Sequence, residues 1–117
     1  MRFPDIRRIL EGVEHHRGSG FDTTVIRHVT AGDLMSEVLV FDLEDLLLVT
    51  SLNSEQVLRT AHMIDAAGVV LVNDKVPNES MIALARSLDT TLLSSPRSMF
   101  EACVALNELL SEDASGE

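Results

Sequence analysis

The chain has no tryptophan, no tyrosine and four phenylalanines among its 117 residues. Its core must therefore be built from aliphatic side chains, and platforms on which nucleic-acid bases could stack are largely missing. The single cysteine, Cys103, excludes an intrachain disulfide and any all-cysteine metal or iron–sulfur site within one chain. Cations are scarce: 9 Lys and Arg stand against 19 Asp and Glu, a formal net charge of −10. Such a surface repels phosphate backbones, which argues against general nucleic-acid binding and suits a basic protein partner. Long apolar runs are lacking as well. The longest, "LLLV" and "GVVLV", are strand-sized, well short of the roughly 18 residues of a membrane span, and "MRFPDIRRIL" contains no signal-peptide core. A cytoplasmic protein with a reduced thiol and no membrane association is expected.

Several chemical signatures are absent too. There is no "GxxxxGK[ST]" phosphate loop, no "GxGxxG" after a strand, no "GxSxG" elbow and no "HExxH" pair. Kinases, dinucleotide oxidoreductases and esterases of the usual kinds are thereby disfavoured.

What is present is a regular alternation. Apolar residues make up 45% of the chain, enough for one core, and the length suits one domain. Ile6, Ile9, Leu10 and Val13 recur at helical spacing, with Gly12 as the expected stop. "VEHHR" and "TVIRHV" look like two short strands around the "GSG" turn. "TAGDLMSEVL" is a further helical segment, with Thr30 and Asp33 at capping-box spacing. From residue 46 the pattern tightens: "LLLVT", "VVLV" and "TLLS" are apolar runs of the kind buried on both faces of a sheet. Between and after them come "EQVLRTAHMIDAA", stopped at Gly68, then "ESMIALARSL", and a last helix with Met99, Cys103, Leu106 and Leu110 on one stripe. Strands alternating with helices predict an α/β fold, three-layer-like, with a mainly parallel sheet and flanking helices, plus a short N-terminal helix and two small strands. The domain is expected over residues 1–110, and 111–117 form a polar tail.

In such sheets ligands bind beyond the carboxyl ends of the strands. Those ends carry Thr50, Ser51 and Asn53, then Asn73 and Lys75, then Ser94, Ser95, Arg97 and Ser98. Each turn leads into a helix whose free N–H groups favour an anion. An alternative stands beside this. Asn53 with Gln56 and Ser98 with Glu101 have capping-box spacing, and Asn78 can cap the middle helix, so these side chains could serve only as caps. Arg97 is what capping leaves over, because a cap needs no cation. Adjacent His15 and His16 point to opposite faces of a strand and cannot share a metal; His28 adds at most one ligand. His62 is read as solvated or partly buried, Cys103 as a small buried hydrophobe, and the clusters "DLED" and "SEDASGE" as solvated surface. No catalytic residue, metal or cofactor is predicted.

Three stretches resemble a known family: "GFDTTVIRHVTAGDLMSEVL", "LLLVTSLNSEQVLRTAHMIDAAGVVLVNDKVPNESMIALA" and "TLLSSPRSMFEACVAL". Together they look like the DRTGG domain in its small stand-alone form, over roughly residues 5 to 108. The namesake motif is degenerate: Asp22 stands at its Asp, Thr23 replaces its Arg and its Gly-Gly is lost. The resemblance implies a fold similar to the N-terminal domain of HPr kinase/phosphorylases, and a regulatory, dimer-forming role without catalysis. It also implies a protein partner among enzymes of anaerobic metabolism, such as hydrogenase components, and a nucleotide or small anion as ligand. The alternative from another class is a small phosphate- or acyl-handling enzyme using the Ser94–Ser98 turn.

Overall fold

The computed structural model of the chain describes residues 1–115. In chain order the elements are α1 (Phe3–Ile9), β1 (Val13–His16), β2 (His28–Ala31), α2 (Met35–Val38), β3 (Leu46–Thr50), α3 (Glu55–Met63), β4 (Gly68–Leu71), α4 (Glu79–Leu88), β5 (Thr91–Ser94) and α5 (Met99–Ser115). They form one five-stranded sheet in the order β1-β5-β4-β3-β2. The strands from β2 to β5 run parallel, and β1 joins β5 antiparallel.

The apolar runs become the central strands because both of their faces are covered. Every residue of β3, β4 and β5 is buried. Alternation along the strands then splits the core in two. Leu47, Val49, Val70, Val72 and Leu93 pack with α1 and α5 through Phe3, Ile6, Leu10, Ala102 and Leu106. Leu48, Val69 and Leu92 pack with α2, α3 and α4 through Met35, Val38, Val57, Leu58, Ala61, Met81 and Ala85. The expected three-layer α/β arrangement is therefore what the chain adopts. Among the described residues no helix is long and apolar enough to cross a membrane.

Four local expectations are corrected. The two small strands do not meet around "GSG": β1 and β2 lie at opposite edges of the sheet. The segment between them crosses the molecule because Phe21 and Ile26 belong to the core, with Phe21 stacked on Phe3 at 5.8 Å and Arg17 set 4.2 Å over its ring. Second, Thr30 and Asp33 form no capping box. Thr30 lies in β2, and α2 starts after Leu34 without a side-chain cap.

Third, glycine does not stop the helices. Glu11, Asp65 and Asp89 hold the left-handed conformation after α1, α3 and α4, and no described glycine has a positive φ. Each of these three helix ends has the paired backbone bonds of a Schellman motif. Gly12 N–H reaches Arg7 O at 2.7 Å, Ala66 N–H reaches Ala61 O at 2.8 Å, and Thr90 N–H reaches Ala85 O at 2.9 Å. α3 consequently ends at Met63, ahead of the expected stop. Fourth, residues 111–115, expected as tail, continue α5. Asp113, in this stretch, pairs with the Met1 amino group. Residues 116 and 117 of the expected tail lie outside the described residues.

Gly68 has another function than stopping a helix. A Cβ there would sit 2.6 Å from Phe3 Cζ and 3.1 Å from Thr91 O, so the close approach of α1 to β4 requires its absence. Gly68→Ala is expected to cost about 1–3 kcal/mol by overpacking, lowering Tm by about 5–15 °C. Asp65→Gly should do the opposite. It relieves a left-handed non-glycine residue and removes a carboxylate from a helix C-terminus, a gain of up to about 1 kcal/mol. Chemical denaturation of both variants checks the pair.

Candidate functional site

The parallel strands bring the three predicted turns to one end of the sheet. There, nearly every polar side chain named from the sequence is already engaged. After β3, the Asp33 carboxylate accepts from Thr50 Oγ1 at 2.9 Å, from the Ser51 N–H at 2.7 Å and from Ser51 Oγ at 2.6 Å. Thr50 Oγ1 in turn accepts from the Leu52 N–H at 3.2 Å. Asn53 does not cap α3, as its spacing to Gln56 suggested; Ser54 does, accepting from the Gln56 N–H at 3.2 Å. Asn53 instead ties this turn to the next one. Its amide donates to Val76 O at 2.7 Å and its carbonyl accepts from the Asn78 N–H at 3.0 Å.

After β4, Asn73 and Asp74 both have a φ of 59°, and the Lys75 N–H bonds Val72 O at 3.3 Å, the geometry of a type I′ turn. Asn is one of the few residues that tolerates that turn. The turn is joined to the one after β5: the Asn73 N–H donates to Arg97 O at 2.7 Å and the Asp74 N–H to Ser95 O at 3.1 Å. Asn73 Oδ1 also accepts from the Met99 N–H at 3.0 Å, occupying a free donor of α5. The two expected caps are present. Asn78 accepts from the Met81 N–H at 2.9 Å, and Ser98 and Glu101 form the reciprocal box at 3.1 Å each way.

After β5, the buried Ser95 hydroxyl donates to Leu10 O at 2.6 Å and accepts from the Arg97 N–H at 3.1 Å. Ser94 Oγ lies 2.7 Å from His15 Nε2. The two cations are the groups left over. Arg97 Nε is 3.6 Å from Glu11 Oε2, an ion pair too long for a hydrogen bond, and this buried nitrogen has no hydrogen-bond partner among the described residues. Lys75 is exposed. The structure thus brings together all nine residues predicted from the sequence, and it employs most of them within the chain.

The comparisons with known proteins bear on this geometry. The chain is similar in fold to a clostridial regulatory region. The match is the crystal structure of the CBS and DRTGG domains of the regulatory region of Clostridium perfringens pyrophosphatase, complexed with its activator diadenosine tetraphosphate; the TM-score is 0.75 and the identity 12%. It covers 89% of this chain, which spans 45% of that one. No family model matches the chain, and no curated protein does. At that identity the likeness establishes a DRTGG/CBS-like α/β fold.

Sequence reasoning missed the contact between His15 and Ser94. They are far apart in the chain, and only the antiparallel docking of β1 on β5, with its irregular register between Glu14 and His16, brings them together. Burial lowers the pKa of His15 from its ordinary value. His28 is at the other edge of the sheet and donates through Nδ1 to Glu44 O at 2.7 Å. No group of three metal-ligating side chains exists among the described residues. His62 is exposed, and Cys103 is half-buried with its thiol pKa pushed up by burial. Two hollows, of about 360 and 540 Å³, lie at the opposite end of the sheet. Asp65 lines both, with Asp89 in the first and Asp42, Glu44 and Asp45 in the second, so neither suits an anion.

Two carboxylates of the strand-end turns have depressed pKa values. Burial raises that of Asp33, but the hydrogen bonds from Ser51 and Thr50 outweigh it. The Ser98 backbone and hydroxyl lower that of Glu101, with a smaller contribution from Arg97. A folded-state pKa below the unfolded value means stability present above pH ~4 and lost as pH falls through the folded value. Acid titration of the unfolding free energy should therefore show a decline below about pH 4. Asp33→Asn should shallow that decline and lower stability at pH 7. An unchanged acid slope in the variant would contradict the contribution of this carboxylate.

Proposed function

We propose that the chain is a non-enzymatic regulatory or protein-interaction module that works as a homodimer and takes a nucleotide or small anion at the strand carboxyl ends. The observation that carries this is the distribution of partners among the strand-end side chains. Thr50, Ser51, Asn53, Asn73, Ser94, Ser95 and Ser98 are hydrogen-bonded within the chain. Lys75, exposed on the turn after β4, and Arg97, which on the adjoining turn after β5 has only a long ion pair with exposed Glu11, are the positive groups available to a ligand. An anion there is held by the charge of the two side chains and by the outer donors of the Arg97 fork. No bound nucleophile or general base is needed for such a role. The likeness in fold to a regulatory region crystallised with a dinucleoside polyphosphate supports the nucleotide class as the first to test. The remaining surface, strongly acidic, fits a basic face on a partner enzyme of anaerobic metabolism, and the setting is cytoplasmic.

One contact favours a second reading, a small phosphate- or acyl-handling enzyme. Ser94 Oγ at 2.7 Å from His15 Nε2 has the distance of an activated hydroxyl. Against it, Ser94 is only 8% exposed, and no described group holds His15 from Nδ1. Turnover in a phosphatase or acyl-transfer screen, abolished in both Ser94→Ala and His15→Ala, would establish this reading over the first.

Thermal-shift measurement with diadenosine tetraphosphate, ATP and inorganic phosphate tests the ligand. A ligand at 100 times its Kd adds about 2.7 kcal/mol of stability, so Tm is expected to rise with one of these anions. The rise should be lost in Arg97→Ala and reduced in Lys75→Ala. A flat Tm across the series would contradict ligand binding and leave protein interaction alone.

A further inference from the structure

The two edges of the sheet are guarded very differently. At β1 the register is broken between Glu14 and His16, and Glu14 is paired with Arg7 and Arg17. A bulge and charges are how edge strands are kept from pairing with other chains. At the other edge β2 keeps a regular register with β3 from His28 to Ala31, without a proline or a charged residue beyond His28.

The His28 N–H bonds Asp45 O and the Gly32 N–H bonds Val49 O. By the strand's two-residue period, the N–H and C=O groups of Val29 and Ala31 point away from β3. No described residue bonds them. The side chains of Val29 and Ala31 line a hollow of about 280 Å³ against α5, completed by Cys103, Leu106, Asn107 and Leu110. None of these residues is charged, on a chain whose net charge is −10. The segment between α2 and β3 meets this edge through Glu44 O, which accepts from His28, and its acidic residues Asp42, Glu44 and Asp45 line a hollow with the α3–β4 junction. It exposes Leu39, Val40, Phe41 and Leu43, with Val40 78% exposed.

We infer that the β2 edge, with the apolar hollow between β2 and α5, is the surface on which a second copy of this chain docks. This rests on the homodimer proposed above and names its interface. Antiparallel pairing about a two-fold axis through Thr30 sets Val29 of one copy opposite Ala31 of the other. Every outward backbone group then finds a partner, and a ten-stranded sheet results. Such an axis keeps both α5 helices on one face, so the uncharged hollows, each with its Cys103, lie side by side. Two copies this acidic repel each other, and the uncharged hollow is where their contact costs least. A basic partner would find no carboxylate in it to pair with.

Sedimentation of the intact chain tests the surface. The wild type is expected at twice 12.8 kDa, and Val29→Lys and Asn107→Glu each at 12.8 kDa with a wild-type unfolding transition. Asn107 is exposed, so its variant remains informative if Val29→Lys does not fold. A short bis-maleimide should join two wild-type copies through Cys103 and fail to join Val29→Lys. Persistence of the dimer in either folded variant, or a dimeric wild type that is not joined through Cys103, would overturn this interface and leave the homodimer standing. A wild type that is monomeric at every concentration would overturn both.

Discussion

Strands β3, β4 and β5 are buried on both faces, and that burial governs the rest of the structure. A strand covered on both sides cannot release its end into water gradually. Backbone groups at its end must find partners at once, and an orphaned buried group costs about 1–3 kcal/mol. The chain meets this at the carboxyl ends by bonding its turns to one another. Asp33 serves the turn after β3, Asn53 links that turn to the next, and Asn73 and Asp74 bond the turn after β5. Residues with the chemistry of a binding site are thereby the framework of the fold.

The same requirement narrows what the site can do. Hydroxyls and amides fixed in internal hydrogen bonds are poor nucleophiles and poor bases, because each must break a bond to act. Charges are freer, since a guanidinium or ammonium group keeps donors to spare. What the strand ends keep outside these hydrogen bonds is positive charge, on Arg97 and Lys75, and the anion recognition proposed above draws on that charge alone. At the other end of the sheet the helices finish on Asp65 and Asp89 in left-handed turns, and the lining there is acidic.

Much of this was legible in the chain. The continuous runs at 46–50, 69–72 and 91–94, each followed by a helical stripe, imply parallel strands, and parallel strands imply where the turns gather. The caps at Asn78 and Ser98 were legible because a cap is a local bond. What was not legible depends on distance. Whether Asp33 serves Thr30 or Ser51 is decided by which strand lies beside β2. The separation of β1 and β2 to opposite edges is decided by Phe21 and Ile26 entering the core, which a short "GSG" turn signal cannot encode. Helix stops were misplaced for a different reason. Glu11, Asp65 and Asp89 occupy the left-handed positions that glycine would mark, so Gly12 and Gly68 point to the wrong boundary residues.

Native-state amide hydrogen exchange tests most directly whether the strand-end turns are one bonded framework. The N–H groups of Ser51, Asn73, Asp74 and Ser95 are each engaged with another turn or strand. They should exchange close to the slow rates of the β3–β5 core, far slower than the exposed Val40 amide region beside α2. Exchange of these amides at the rate of an open loop, with the core still protected, would contradict the account. The strand ends would then be mobile loops whose hydroxyls and amides are free to act on a ligand.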